Sequence, residues 1–96
     1  MQVLVWKCTV RLLDDPTSLK EKRSVIRRAL EAMRNHHGLS AAEVGENERL
    51  NLAQFGFCSV GTDSRKLEAL AEKARSALES HHPLEVVEDE IHLESY

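Results

Sequence analysis

The spacing of apolar residues switches period along this chain in the order two, about 3.6, two, two, about 3.6, two, which restricts the fold more than anything else in the sequence. Over residues 2–13, Leu4, Trp6, Cys8, Val10 and Leu12 alternate with Lys7, Thr9 and Arg11. That pattern predicts a half-buried strand. Asp14-Asp15-Pro16-Thr17 reads as a loop, because proline lacks a donor and short polar residues favour turns. Ser18 then opens a helix, with Glu21 three residues on to complete a capping box. Leu19, Ile26, Ala29, Leu30 and Met33 supply its apolar stripe, and His36-His37-Gly38 its end. Leu39 to Gly45 is expected to be a short strand, Gly45-Glu46-Asn47-Glu48 a hairpin turn, and Arg49 to Val60 a third strand. Asp63 or Ser64 caps a second helix whose inner stripe is Leu67, Leu70, Ala71, Ala74, Ala77, Leu78 and His81, with Pro83 just beyond it. The stretch from Pro83 to Ser95 closes as a strand, with Val87, Ile91 and Leu93 on one face and Glu88, Glu90, His92 and Glu94 on the other.

The order β-α-β-β-α-β predicts an α+β, ferredoxin-like domain spanning residues 1–96. Its four-stranded antiparallel sheet would run in the order 4-1-3-2, with both helices on one face. No apolar run approaches the length of a membrane span. Met1 to Leu13 lacks the basic-then-apolar order of a secretory signal, which favours a cytoplasmic protein. Cys8 and Cys58, the only cysteines, are too far apart for a zinc motif. Buried, reduced thiols are the main expectation, and a bridge stays open if their strands pair.

The formal net charge of −3 argues against wholesale nucleic-acid binding, but the charges are segregated. Residues 20–34 carry Lys20, Lys22, Arg23, Arg27, Arg28 and Arg34 against Glu21 and Glu31, whereas residues 85–94 carry Glu85, Glu88, Asp89, Glu90 and Glu94 with no Lys or Arg. Cations at a helix start oppose the helix dipole by about 0.3–1 kcal/mol each, so the run points either to an anionic partner or to a solvated face paired with the acidic tail and with Glu21. At 100° per residue Lys20, Arg23, Arg27 and Arg34 align in a row, with Glu31 among them, that could follow a phosphate backbone. Free amides at the helix start, with Ser18 and Lys20, offer a second way to hold a phosphate.

Ser18-Leu19-Lys20-Glu21-Lys22-Arg23 after a first strand, and Ser40-Ala41-Ala42-Glu43-Val44-Gly45 after the helix, resemble the YlxP-like family, a bacterial domain of unknown function. The likeness includes Ala53 and the acidic last strand; residues 47–52 depart from it by lacking an aromatic. The resemblance implies a small cytoplasmic ferredoxin-like protein. It also implies a translation setting, because genes of this family often neighbour those of initiation factor two and ribosome-binding factor A. It supplies no catalytic residues.

Other motifs have plainer readings. Phe55-Gly56-Phe57 echoes part of an RNA-recognition signature, but with Gln54 facing outward both rings point into the core. His36-His37 and His81-His82 each end a helix and neither pair alone chelates a metal. Glu43 has no visible nucleophile or partner for acid-base work and reads as a hairpin-end carboxylate. The outer sheet face should show Val3, Val5, Lys7, Thr9, Arg11 and Val86, a part-apolar surface suited to a second copy. The chain therefore reads as a non-enzymatic RNA- or ribosome-associated module without cofactor, metal or small-molecule substrate. Its phosphate contacts are expected from Ser18, Lys20, Lys22, Arg23, Arg27 and Arg28, although Lys22 points towards the apolar side and could instead lay its stem over the core. The alternative is a homodimeric protein-interaction module.

Overall fold

Strand β1 (Gln2–Leu12) runs through the middle of the sheet, and its alternation is the spine of the fold. Leu4, Trp6, Cys8, Val10 and Leu12 are all buried. The computed structural model describes residues 1–96. Helix α1 (Leu19–His37) follows, then β2 (Ser40–Gly45), β3 (Leu52–Gly61), α2 (Ser64–His81) and β4 (Leu84–Ser95). The antiparallel sheet has the order β2-β3-β1-β4, equivalent to the expected 4-1-3-2. Both helices cover one face, α1 above the β2 side and α2 above the β1 and β4 side. One apolar cluster fills the space between them, with Trp6 stacked on Phe57 at 4.5 Å and Phe55 edge-on to Phe57 at 5.9 Å.

The local signals act as expected at the helix ends. Ser18 Oγ accepts from the Glu21 amide, and Asp63 caps α2 by accepting from the Arg65 amide. Gly38 takes the left-handed conformation at φ 64°, which a Cβ would oppose. Gly38 N–H donates to the Arg34 carbonyl, the closure of an αL cap, and Leu39 N–H donates to the Met33 carbonyl. This is why β2 starts at Ser40 and not Leu39.

Three expectations are corrected. β3 begins at Leu52 rather than Arg49, because the Arg49 amide donates back to the Glu46 carbonyl and closes a turn. In β4 the pairing shifts between Thr9↔Glu88 and Val10↔Val86, a bulge that leaves Val87 exposed and turns Val86 towards the core. Cys58 is exposed on the open face while Cys8 is buried on the helix side, so the two thiols lie on opposite faces and are free.

Candidate functional site

Helix α1 presents two chemically different sides. Ile26, Ala29, Leu30 and Met33 anchor its inner side in the core. Its outer flank towards β2 carries Lys20, Arg23 and Arg27, which line a shallow depression of about 310 Å³ with Ser24. All three are exposed, as is Arg28 one step round the helix. None of these four groups enters an ion pair. Arg34 continues the row but donates to the Ala41 carbonyl at 2.5 Å, tying the helix flank to the edge strand.

The acidic strand does not reach this surface. β4 forms the opposite edge of the sheet from β2. Its carboxylates pair locally: Glu85 with Arg11 at 3.1 Å and Asp89 with Arg75 at 2.8 Å. Segregation along the chain thus becomes separation across the molecule.

Lys22 has to be removed from the phosphate-contact set. The same helical geometry that lines up Lys20 and Arg23 turns Lys22 inward, and its side chain is 1% exposed. Its ammonium donates to the Glu46 carbonyl at 2.6 Å and to the Arg49 carbonyl, with Glu43 Oε2 at 3.8 Å. Burial pulls its pKa down, opposed by the charges of Glu43 and Glu46. Glu46 sits at φ 58°, a left-handed backbone disfavoured for a residue with a Cβ. Lys22 therefore fastens an awkward turn. Glu43, opposite Phe55 in the ladder, serves as its counter-charge rather than as a free hairpin-end carboxylate.

Ser18 caps the helix as expected, and that role takes its hydroxyl out of the phosphate-contact set. Its hydroxyl is engaged as the helix cap, and the Glu21 carboxylate accepts from the Thr17 amide at 2.8 Å and from the Thr17 hydroxyl. A negative group already occupies the start of α1, so an incoming phosphate would meet repulsion there. The unpaired cations Lys20, Arg23 and Arg27 line the helix flank, whereas the helix tip already holds a carboxylate.

Phe55 and Phe57 lie in the core, at 0% and 3% exposure, so neither stacks on a base. The two histidine pairs, read separately in the sequence, line a single groove between the helices together with Lys73. No three His, Cys, Asp or Glu side chains come together to ligate a metal. The only sequence sign of this groove was that both pairs end helices expected on the same sheet face.

The family described as "Protein of unknown function (DUF503)" matches residues 3–91. The chain belongs to this family. The uncharacterised protein YlxP of Bacillus subtilis (strain 168) is 27% identical over 74 residues, covering 77% of this chain and 80% of that protein. The YlxP-like resemblance carried by residues 18–23 and 40–45 is thus supported by the whole DUF503 match. Among solved structures, the structural-genomics protein YJCS has a TM-score of 0.54 at 13% identity, covering 94% of this chain and 96% of that one. The de novo designed protein Foldit4 has a TM-score of 0.51 at 14% identity, covering 100% and 99%. These two share the fold with the DUF503 chain and nothing more is drawn from them. No helix is long and apolar enough to cross a membrane.

Proposed function

We propose that this protein is a non-enzymatic module that binds structured RNA or a ribosomal particle. The phosphate contacts come from Lys20, Arg23, Arg27 and Arg28. The observation that carries this reading is that Lys20, Arg23 and Arg27 are exposed and unpaired on one helix flank with Arg28 one step round, and that every acidic group of β4 lies at the far edge of the sheet. Exposed unpaired cations repel one another, and neutralising them on a phosphate backbone also releases counterions. The translation setting expected from the family resemblance belongs to the same proposal.

The aromatic inventory favours duplex over single-stranded RNA. The chain has one Trp, one Tyr and two Phe, and Trp6, Phe55 and Phe57 are buried. Only Tyr96 is exposed, at the end of the far edge strand. Single strands are held largely by stacking bases on aromatic rings, whereas duplex RNA is read through phosphates and 2′-hydroxyls. A basic helix flank without rings suits the second.

Fluorescence anisotropy with a labelled RNA hairpin and an equal-length single strand tests the reading. Replacing Lys20 and Arg23 with Glu should remove hairpin binding at 0.1 M salt. For the unaltered protein the logarithm of affinity should fall with the logarithm of salt at about 0.7–0.9 per phosphate contact, and each contact removed should lower that slope by the same amount. A folded Lys20→Glu, Arg23→Glu variant that still cosediments with ribosomes would sink the proposal.

The open sheet face supports a second reading, self-association. Val5, Ala42, Val44, Gly56 and Cys58 border a shallow apolar depression of about 450 Å³ there. Sedimentation equilibrium of the unaltered chain and of Val5→Lys decides it: a dimer abolished by the charge supports this reading, and a monomer throughout ends it.

A further inference from the structure

The groove between the C-terminal halves of the two helices is the part of the molecule that the RNA reading does not use. It encloses about 530 Å³ and lies on the flank of α1 away from the Lys20–Arg23–Arg27 row. Its polar lining is His36 and His37 from α1, and Lys73, His81 and His82 from α2 and its cap. The sheet contributes no titratable group to it, and no carboxylate lines it. Ala32, Met33 and Ala77 form the remaining walls. Four imidazoles and an ammonium line one space, and the only negative charge beside them is the partial one at the C-terminal ends of the two helices, which falls short of balancing them once the imidazoles are protonated.

We infer that this groove is a binding site for a small tetrahedral oxyanion of the phosphate or sulfate class, held by Lys73 and by imidazolium groups of the four histidines. A transition metal is the obvious competitor for a histidine cluster, but no three of these side chains converge to ligate one. An anion needs no such convergence. It needs N–H donors and positive charge around a space of its own size, and a doubly protonated imidazole supplies both. The groove is wide enough for an oxyanion with part of its hydration shell.

The site is acid-gated. Burial, followed by the charges of Lys73 and His36, holds His37 below the usual imidazole range. Burial and His81 do the same to His82. No carboxylate acts on either group. As pH falls, His37 and His82 gain protons beside Lys73, and a bound anion offsets the repulsion that follows. Binding is then accompanied by proton uptake, so the anion raises both histidine pKa values.

Sulfate is the probe, because its charge stays constant between pH 5 and 8. Histidine ring resonances followed by NMR, with sodium sulfate against sodium chloride at matched ionic strength, report each imidazole separately. Sulfate affinity should rise at least tenfold from pH 7.5 to 5.5, with the titration midpoints of His37 and His82 moving upward. Lys73→Met should abolish both effects, and a His37→Gln, His82→Gln variant should lose the pH dependence. His92→Gln, on the acidic strand, should leave them unchanged. Circular dichroism confirms that each variant is folded. Histidine resonances that ignore sulfate at pH 5.5 would overturn the inference. So would saturable Ni²⁺ or Zn²⁺ binding at these four histidines with no response to sulfate.

Discussion

Replacing Lys22 with Met separates a structural lysine from the one proposed to contact phosphate, Lys20, within the same six-residue motif. Methionine keeps most of the apolar stem that crosses the core edge and deletes only the ammonium. That group makes two hydrogen bonds to the carbonyls of Glu46 and Arg49. A hydrogen bond from a charged donor contributes about 1.5–3 kcal/mol net. The turn lies at the surface, so its carbonyls regain water once released, and the lower figure applies to each. The Glu43 oxygen that faces Lys22 is buried with no hydrogen-bond partner, so losing the ammonium leaves its charge uncompensated and adds to the cost. The expected loss is at least about 3 kcal/mol, or a fall in Tm of about 12 °C or more for a domain of this size. Trp6 is the only tryptophan and is fully buried against Phe57, so its fluorescence during urea unfolding reads the change directly. Hydrogen exchange should locate the loosening at residues 46–51. Binding to an RNA hairpin, corrected for the folded fraction, should not change. A Lys22→Met protein that loses less than about 1 kcal/mol but no longer binds the hairpin would refute this division of roles.

The other predictions concern groups whose surroundings are equally well defined. Cys58 should react with Ellman's reagent in the native protein at pH 8, while Cys8, whose pKa burial pushes up to about 12, should react only after unfolding; equal native rates would contradict the placement on opposite faces. His37 and His82 titrate below their unfolded values, so the unfolded chain takes up protons first. Stability should therefore fall as pH drops through about 6.5, and the urea midpoint of a His37→Gln, His82→Gln variant should fall less over pH 7.5–5.5. A parent that gains stability on acidification would reverse that sign. Gly38→Ala places a Cβ on a left-handed residue with open space around it, so the cost should come from backbone conformation alone, about 1 kcal/mol by urea denaturation.

Much of the fold was legible because its signals are local. β1 alternates strictly, and its five inward residues are all buried, because side chains on a strand cannot avoid alternating faces. The caps at Ser18, Gly38 and Asp63 follow from the donors and acceptors that any helix end leaves unpaired. The misses cluster where two segments meet. The bulge that exposes Val87 and turns Val86 inward depends on the register against Thr9 and Val10, which no property of β4 alone displays. Lys22 could be assigned to the apolar side by helical angle, but its partners, the carbonyls of Glu46 and Arg49, lie 24 and 27 residues away.

The candidate site divides along the same line. Periodicity and capping determined that Lys20, Arg23 and Arg27 share one helix flank, since a helix repeats every 3.6 residues whatever surrounds it. Strand order decided that this flank stays free. With β4 on the far side of β1, the acidic strand is held beyond the few ångströms over which side-chain charges pair. Strand order and helix packing likewise brought two histidine pairs, 45 positions apart in the chain, to one groove. The sequence alone determined the elements and the faces of each residue, because those follow from backbone geometry within a few residues. Which charges meet, and which are left without a partner, is a matter of distance in space, and only the tertiary structure decides it.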